Sequence, residues 1–290
     1  MYCAGHNVYD CIPCLVNQTF RTIELTGCKD PDAVFHSVFD YMKDKDFHVT
    51  APEISGDVFG IITKIIGDPD PYRELKLHYD RMLMERFDEL YQEADSILDA
   101  VRFAIAGNII DFSPAGGDVS KSLGDVFEQV RHTPFAIDDS EGFLKDLSEA
   151  KTILYLLDNC GEIVLDKLLI KKIKEVYPDV KVTAVVHGAP AMNDCLMEDA
   201  EVVGLSEVCD VIDSGDYIQA IDVRRGSAEL NRLFDEVDLV ISKGQGNFEC
   251  NGALNKKAYF LLMAKCEVLS RILKVPQRSL ILKRSDAYTE

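Results

Sequence analysis

The stretch Ile153-Leu154-Tyr155-Leu156-Leu157-Asp158-Asn159-Cys160-Gly161-Glu162 passes from an unbroken apolar run to a polar turn, and a helical pattern resumes directly after it. A short run without polar alternation is what a strand buried on both faces of a parallel sheet requires. From Gly161 to Tyr177, Leu165, Leu168, Leu169, Ile173 and Val176 fall on one side of a helix, basic residues come late and Pro178 follows. Two further apolar runs end in the same way. Residues 182–186 lead to His187-Gly188 and then Asn193-Asp194, and Leu239-Val240-Ile241 leads to Lys243-Gly244-Gln245-Gly246-Asn247-Phe248-Glu249. Later strands are predicted at Val211-Ile212, Tyr259-Phe260-Leu261-Leu262 and Leu280-Ile281-Leu282. Strand and helix alternate, so the fold class is α/β with a largely parallel sheet over residues 149–290.

Upstream, the texture is helical. Ile54, Val58, Ile61, Ile62, Ile65 and Ile66 make one apolar face, and Leu75, Tyr79, Met82, Leu83 and Leu90 make another. Asp30-Pro31 and Asp70-Pro71 each put a capping carboxylate before a proline suited to a first helical turn. Residues 1–148 are therefore read as an all-helical domain of five to seven helices with little or no sheet. The segments around Gly116-Gly117-Asp118 and Asp138-Asp139-Ser140 read as loops.

With 31 Lys plus Arg against 50 Asp plus Glu, the formal charge is -19, and such a surface repels nucleic acid and anionic membranes. An anionic small substrate then needs local positive charge. No run reaches the ~18 apolar residues of a membrane span. The N-terminus has no basic segment followed by an apolar one, and a cytoplasmic location is expected. Nine scattered cysteines do not form the dense paired framework of a small secreted domain, so most are expected as reduced thiols, with Cys250 and Cys266 buried.

The three polar clusters share one expected position. In open parallel sheets, ligands gather outside the carboxyl ends of the strands. Asp158, Asn159 and Asp194 there supply oxygen ligands of the kind Mg²⁺ or Mn²⁺ accepts, with Co²⁺ or Ni²⁺ as further options. Each pair alone also reads as a plain helix cap. Glu162, in the first helical turn, is placed to orient a water or take a proton. Lys243 stands at a strand end, and Gly244 and Gly246 allow backbone to approach a ligand closely. The glycines match neither G-x-G-x-x-G nor a Walker loop. In the helical half, Asn108 and Asp111 sit amid apolar neighbours, either as structural hydrogen-bonders or facing the cleft. Cys11-Ile12-Pro13-Cys14 is a bare C-x-x-C, read first as plain buried thiols, then as a structural metal site with Cys3 and His6, then as a redox pair.

In this order, Cys11 and Cys14, Gly107-Asn108 with Asp111, Asp158-Asn159 with Gly161-Glu162, Asn193-Asp194, and Lys243-Gly244 with Gly246-Asn247 and Glu249 resemble the metal-dependent damage-control phosphatases. This is the family long carried as domain of unknown function 89, and the match is to its smaller microbial subgroup with an N-terminal C-x-x-C. The resemblance covers nearly the whole chain. It implies a helical domain set against a Rossmann-like α/β domain and hydrolysis of small phosphomonoesters, including sugar phosphates and damaged phosphorylated metabolites. It further implies a divalent cation on Asp158, Asn159 and Asp194, with Lys243 near the phosphate. Cys160 stands where the family has a smaller residue. Relatives also described as carboxyl methyltransferases leave the reaction itself open.

The expected chemistry is attack of a metal-activated water on phosphorus. Asp158, Glu162 and Lys243 are the catalytic residues in this reading, and Asn108, Asp111, Lys243, Gly244 and Asn247 bind substrate. Two rivals stand beside it. One is a phosphatase with Asp158 as covalent nucleophile, which wants a second Asp where this chain has Cys160. The other is a non-catalytic protein that senses a metabolite or metal. Oligomeric state is not readable from the sequence.

Overall fold

A computed structural model describes residues 8–107 and 123–286, the side chains of 123–126 excepted. Three helices open the chain: α1 (Ile12–Thr26), α2 (Pro31–Asp44) and α3 (Ala51–Ile66). Asp30 caps α2 as its sequence suggests, its carboxylate accepting the Ala33 N–H at 3.0 Å. These helices close over a small core of their own, including Leu15, Val34, Val38, Ile54, Val58 and Ile62. Ile65, on the edge of the α3 stripe, is left exposed.

The next helices are α4 (Arg73–Met84), α5 (Phe87–Glu93), α6 (Ile97–Ala106) and α7 (Leu123–Arg131). Asp70 does not cap α4; its carboxylate pairs with Lys76 at 2.9 Å instead. Leu83, Leu90 and Phe103 belong to the same apolar cluster as Ile153 and Leu165, so α4 to α6 cover the sheet. The apolar core therefore does not divide at residue 148.

The sheet also begins earlier than the sequence suggests. Its seven strands are β1 (Phe135–Asp138), β2 (Thr152–Leu156), β3 (Lys181–Val186), β4 (Asp210–Asp213), β5 (Leu239–Lys243), β6 (Ala258–Met263) and β7 (Leu280–Arg284). Their order is β1-β7-β6-β5-β2-β3-β4, parallel throughout except where β6 meets β7. The reading of residues 1–148 as all-helical is thus corrected by β1. Four residues with only Phe135 buried carry too little apolar pattern to announce a strand.

Helices α8 (Ser140–Glu149), α9 (Glu162–Val176), α10 (Met197–Val202), α11 (Ala228–Glu236), α12 (Gln245–Asn251) and α13 (Glu267–Leu273) fill the connections. Alternate residues of β2 serve opposite faces. Ile153 and Tyr155 point into the layer with α6 and α9, while Leu154 and Leu156 join Val185, Val240 and Phe260 on the other. This two-sided burial, worth roughly 1.5–3 kcal/mol for each large apolar side chain, is why the central strands read as unbroken apolar runs. Helix α9 is buried all round from Glu162 to Ile170, since α4, α5 and α6 cover its outer side. No helix among the described residues is long and apolar enough to cross a membrane.

From β2 the chain steps to β3 and β4 on one side, then crosses to β5 and β6 on the other. The direction of winding reverses between β2 and β5. Helix-first turns leave these two neighbours in opposite directions, the arrangement beside which open α/β sheets bind their ligands.

Candidate active site

Backbone builds the site before any side chain does. Where β2 ends, Cys195 N–H donates to the Asp158 carbonyl at 3.0 Å and Cys160 N–H donates to the Asn193 carbonyl at 2.9 Å. These bonds form an isolated antiparallel bridge between Asn159 and Asp194. The loop after β3 is thereby stitched to the turn after β2, and two acids and an amide distant in sequence meet.

The third strand end completes the rim. Gly244 follows β5 with φ +79°, and a Cβ placed there lies 2.0 Å from Asp158 Oδ2 and 2.2 Å from its Cγ. Only glycine lets the Asp158 carboxylate lie against this backbone. The Asn159 amide nitrogen donates to Asp158 Oδ2 at 2.7 Å and to Glu162 Oε2 at 3.2 Å. Its amide oxygen is the atom those carboxylates leave for another ligand.

Asp158 is half-buried, whereas Asp194 is fully buried and its Oδ2 has no hydrogen-bond partner. Burial and the neighbouring Asp158 carboxylate push Asp194 well above the usual carboxylate range. His187 Nδ1 lies 3.2 Å from Asp194 Oδ2, without the alignment of a hydrogen bond. Burial, helped by the charge of Lys76, lowers His187 to about 3, so this imidazole is neutral and brings no cation to the acid. Two neighbouring carboxyls, one half-buried and one fully buried with an oxygen lacking a donor, fit a divalent cation. Asp158, Asn159 and Asp194 can supply three oxygens to it. Among the described residues, this site included, no three or more His, Cys, Asp or Glu side chains gather as a metal site, so here the third oxygen would have to come from the Asn159 amide.

Lys243 lies behind these groups. Its ammonium donates to Glu162 Oε1 at 2.5 Å, Asp166 Oδ1 at 2.7 Å and the Ala104 carbonyl at 2.8 Å, and the side chain is fully buried. Three donors meet three acceptors, so none remains for a phosphoryl oxygen. The geometry corrects the expectation of direct phosphate contact: Lys243 secures Glu162, which secures Asn159. Burial alone would lower the Lys243 pKa, but Asp166 and Glu162 outweigh it and raise it. Burial pushes Asp166 up to about 6 against the pull of Lys243. Tyr155 from β2 donates to the same Asp166 oxygen at 2.6 Å. Neither Asp166 nor Tyr155 stands out in the sequence, although Glu162 and Asp166, four apart in the apolar first half of α9, mark a shared polar face.

Asn247 also differs from expectation. It is fully buried, donating to the Leu157 carbonyl at 2.8 Å and accepting from Ile221 N–H at 2.6 Å. It straps the end of β2 to the loop before α11 instead of facing a substrate. Asn108 and Asp111, like Cys3 and His6, lie outside the described residues. Cys11 ends as the residue before α1, half-buried, and Cys14 is exposed, which corrects the reading of two buried thiols. Burial raises Cys11 to about 12, with Glu249, Cys266 and Cys14 adding to the shift. Cys250 is buried as expected; Cys266 is half-buried and caps α13, its sulfur accepting Leu269 N–H.

Residues 7–281 match the family described as the damage-control phosphatase ARMT1-like domain. The chain belongs to the damage-control phosphatase family. A damage-control phosphatase of Pyrococcus horikoshii is 33% identical over 283 residues, which cover 96% of this chain and 97% of that one. A damage-control phosphatase of Archaeoglobus fulgidus is 33% identical over 230 residues, or 77% of this chain and 78% of its own length. The crystal structure of a DUF89 family protein from Pyrococcus horikoshii superposes with a TM-score of 0.88 at 31% identity, covering 96% of this chain and 98% of that one. The likeness to this damage-control phosphatase relative thus extends through both the helices and the sheet.

Proposed function

We propose that this damage-control phosphatase hydrolyses small phosphomonoesters, sugar phosphates or damaged phosphorylated metabolites among them, with a divalent cation of the Mg²⁺ or Mn²⁺ type. One observation carries the reading: the Asn159–Asp194 bridge brings Asp158 together with Asp194, whose buried Oδ2 lacks a hydrogen-bond partner, at the switch point of the sheet. The names of the relatives from Pyrococcus horikoshii and Archaeoglobus fulgidus support the reaction class.

Asp158, Asn159 and Asp194 would hold the cation, which when bound supplies charge for a phosphoryl oxygen and lowers the pKa of a coordinated water. The residues of the chain divide the remaining work. Gly244 keeps the Asp158 carboxylate at its place by giving it room. Glu162, fixed by Lys243, holds the Asn159 nitrogen so that the amide oxygen faces the ligand side. Asp158, the more accessible carboxylate, is the group positioned to orient the attacking water or accept its proton. Positioning and electrostatics then supply most of the acceleration, as expected for phosphoryl transfer.

A hydrolysis screen of chelator-stripped protein, crossing divalent cations with phosphomonoesters, tests the proposal. Phosphate release that requires an added cation supports it. Turnover that is unaffected by stripping, or absent with every cation and ester, rejects it.

A further inference from the structure

Helix α4 carries two charged residues, Lys76 and Asp80, that are almost wholly buried (1% and 0% exposed) and take no part in the site just described. Standing four apart, they share one helical face. Each reaches a different ligand-bearing loop. The Asp80 carboxylate accepts the Gly161 N–H, on the turn that follows Asp158 and Asn159. Gly161 has φ +66° and ψ −53°, a conformation outside the common wells, so its N–H is held by a partner and not by a regular helix. Lys76 Nζ lies 3.4 Å from the Asp194 carbonyl oxygen, 2.9 Å from Asp70 Oδ2 and 3.6 Å from Asp199 Oδ2.

Asp199 closes the ring. Its Oδ2 accepts Leu196 N–H at 2.7 Å, two residues beyond Asp194. The Asp199 carboxylate is also an electrostatic neighbour of Asp80. Burial and the neighbouring Asp199 raise Asp80 to about 9. Asp80 Oδ2 and Asp199 Oδ1 are buried without a hydrogen-bond partner. Charged side chains so deeply buried need a compensating purpose, because apolar residues of similar size pack a helix at lower cost.

We propose that Lys76 and Asp80 are positioning residues, which hold the 158–162 turn and the 191–196 loop at the separation where Asp158, Asn159 and Asp194 share one divalent cation. This rests on the metal reading above. The helical half thereby acquires a specific role, with α4 as the clamp that pre-organises both halves of the ligand set, over and above the backbone bridge between them.

Full-length wild type, Asp80→Asn, Asp80→Leu and Lys76→Met are compared by calorimetric titration with Mn²⁺, by circular dichroism, and by phosphomonoester hydrolysis across a Mn²⁺ series. Asp80→Asn keeps the contact to Gly161, whose N–H its amide oxygen accepts, and offers its NH₂ on the side of the unpartnered Asp80 Oδ2. Its Mn²⁺ affinity should stay within about threefold of wild type. Asp80→Leu and Lys76→Met should weaken Mn²⁺ binding about 10–100-fold, as loss of groups that orient metal ligands does. At saturating Mn²⁺ their kcat should recover most of the wild-type value, a split that general loss of folded protein does not produce. Should Asp80→Leu fail to fold, Lys76→Met and Asp80→Asn decide the matter. Wild-type affinity in folded Lys76→Met or Asp80→Leu overturns the clamp, as does an Asp80→Asn protein that binds as weakly as Asp80→Leu. If wild type itself takes no Mn²⁺, the metal reading falls first and the clamp with it.

Discussion

The Asp158 carboxylate rests directly on the α-carbon of Gly244, in space that a single methyl group would occupy. Gly244→Ala should therefore turn Asp158 away from Asn159 and strain a backbone that side chains rarely adopt. We expect activity to fall about 100-fold and stability by about 1–3 kcal/mol. Steady-state kinetics and urea denaturation check the two numbers separately, and near-normal turnover in a folded variant would contradict the contact.

Asp194 is held well above its ordinary pKa, so at neutral pH its ionisation in the folded state opposes folding. Asp194→Asn removes that penalty with little change of shape. Without added metal, the variant should melt at or above the wild-type temperature. Addition of Mn²⁺ should raise the wild-type melting temperature and leave Asp194→Asn unmoved, as binding linkage requires. Thermal scans with and without cation provide the test; an equal shift in both proteins counts against Asp194 as a ligand.

Lys243 offers a different signature. Because its ammonium neutralises Glu162 and Asp166 away from water, Lys243→Met leaves uncompensated carboxyls inside the protein. The expected loss is about 3–5 kcal/mol of stability. A residue that only touched substrate would raise KM and leave the denaturation midpoint alone, and that result would restore Lys243 to the phosphate.

Asp146 provides a pH test remote from the cleft. Burial alone would raise its pKa, but Tyr259 at 2.7 Å, Lys257 at 3.0 Å and Arg284 at 3.5 Å outweigh it and hold the group below the usual carboxylate range. A depressed carboxyl stabilises the fold above its unfolded pKa, and the contribution disappears as pH falls through the folded one. Asp146→Asn should accordingly be less stable than wild type at pH 7, with the gap closing below about pH 4. Denaturation midpoints from neutral pH down to about pH 3 measure it, and a gap constant across that range refutes the assignment.

How much of this was visible in the chain follows from burial. The strands β2, β3 and β5 and the polar residues after them could be read because two-sided burial leaves no polar interruption until the strand ends. Gly244 was legible as a point of close approach, though not the side chain that approaches it. The strand β1 was hidden by its brevity. Lys76 and Asp80 were hidden for a subtler reason: on an amphipathic helix a charged residue ordinarily marks the solvent side, and only tertiary packing reveals that this polar face is turned inward. Lys243 was identified as important and given the wrong neighbours, because sequence shows a charge at a strand end without showing the acids that wait on α9.

The bridge between Asn159 and Asp194 is made by main-chain atoms, which every substitution short of proline retains. Catalytic carboxylates can thus be replaced while the frame around them stays shut. On the proposed reading, forms that turn over slowly or not at all would be the ones with which to seek an intact metabolite in a cell extract.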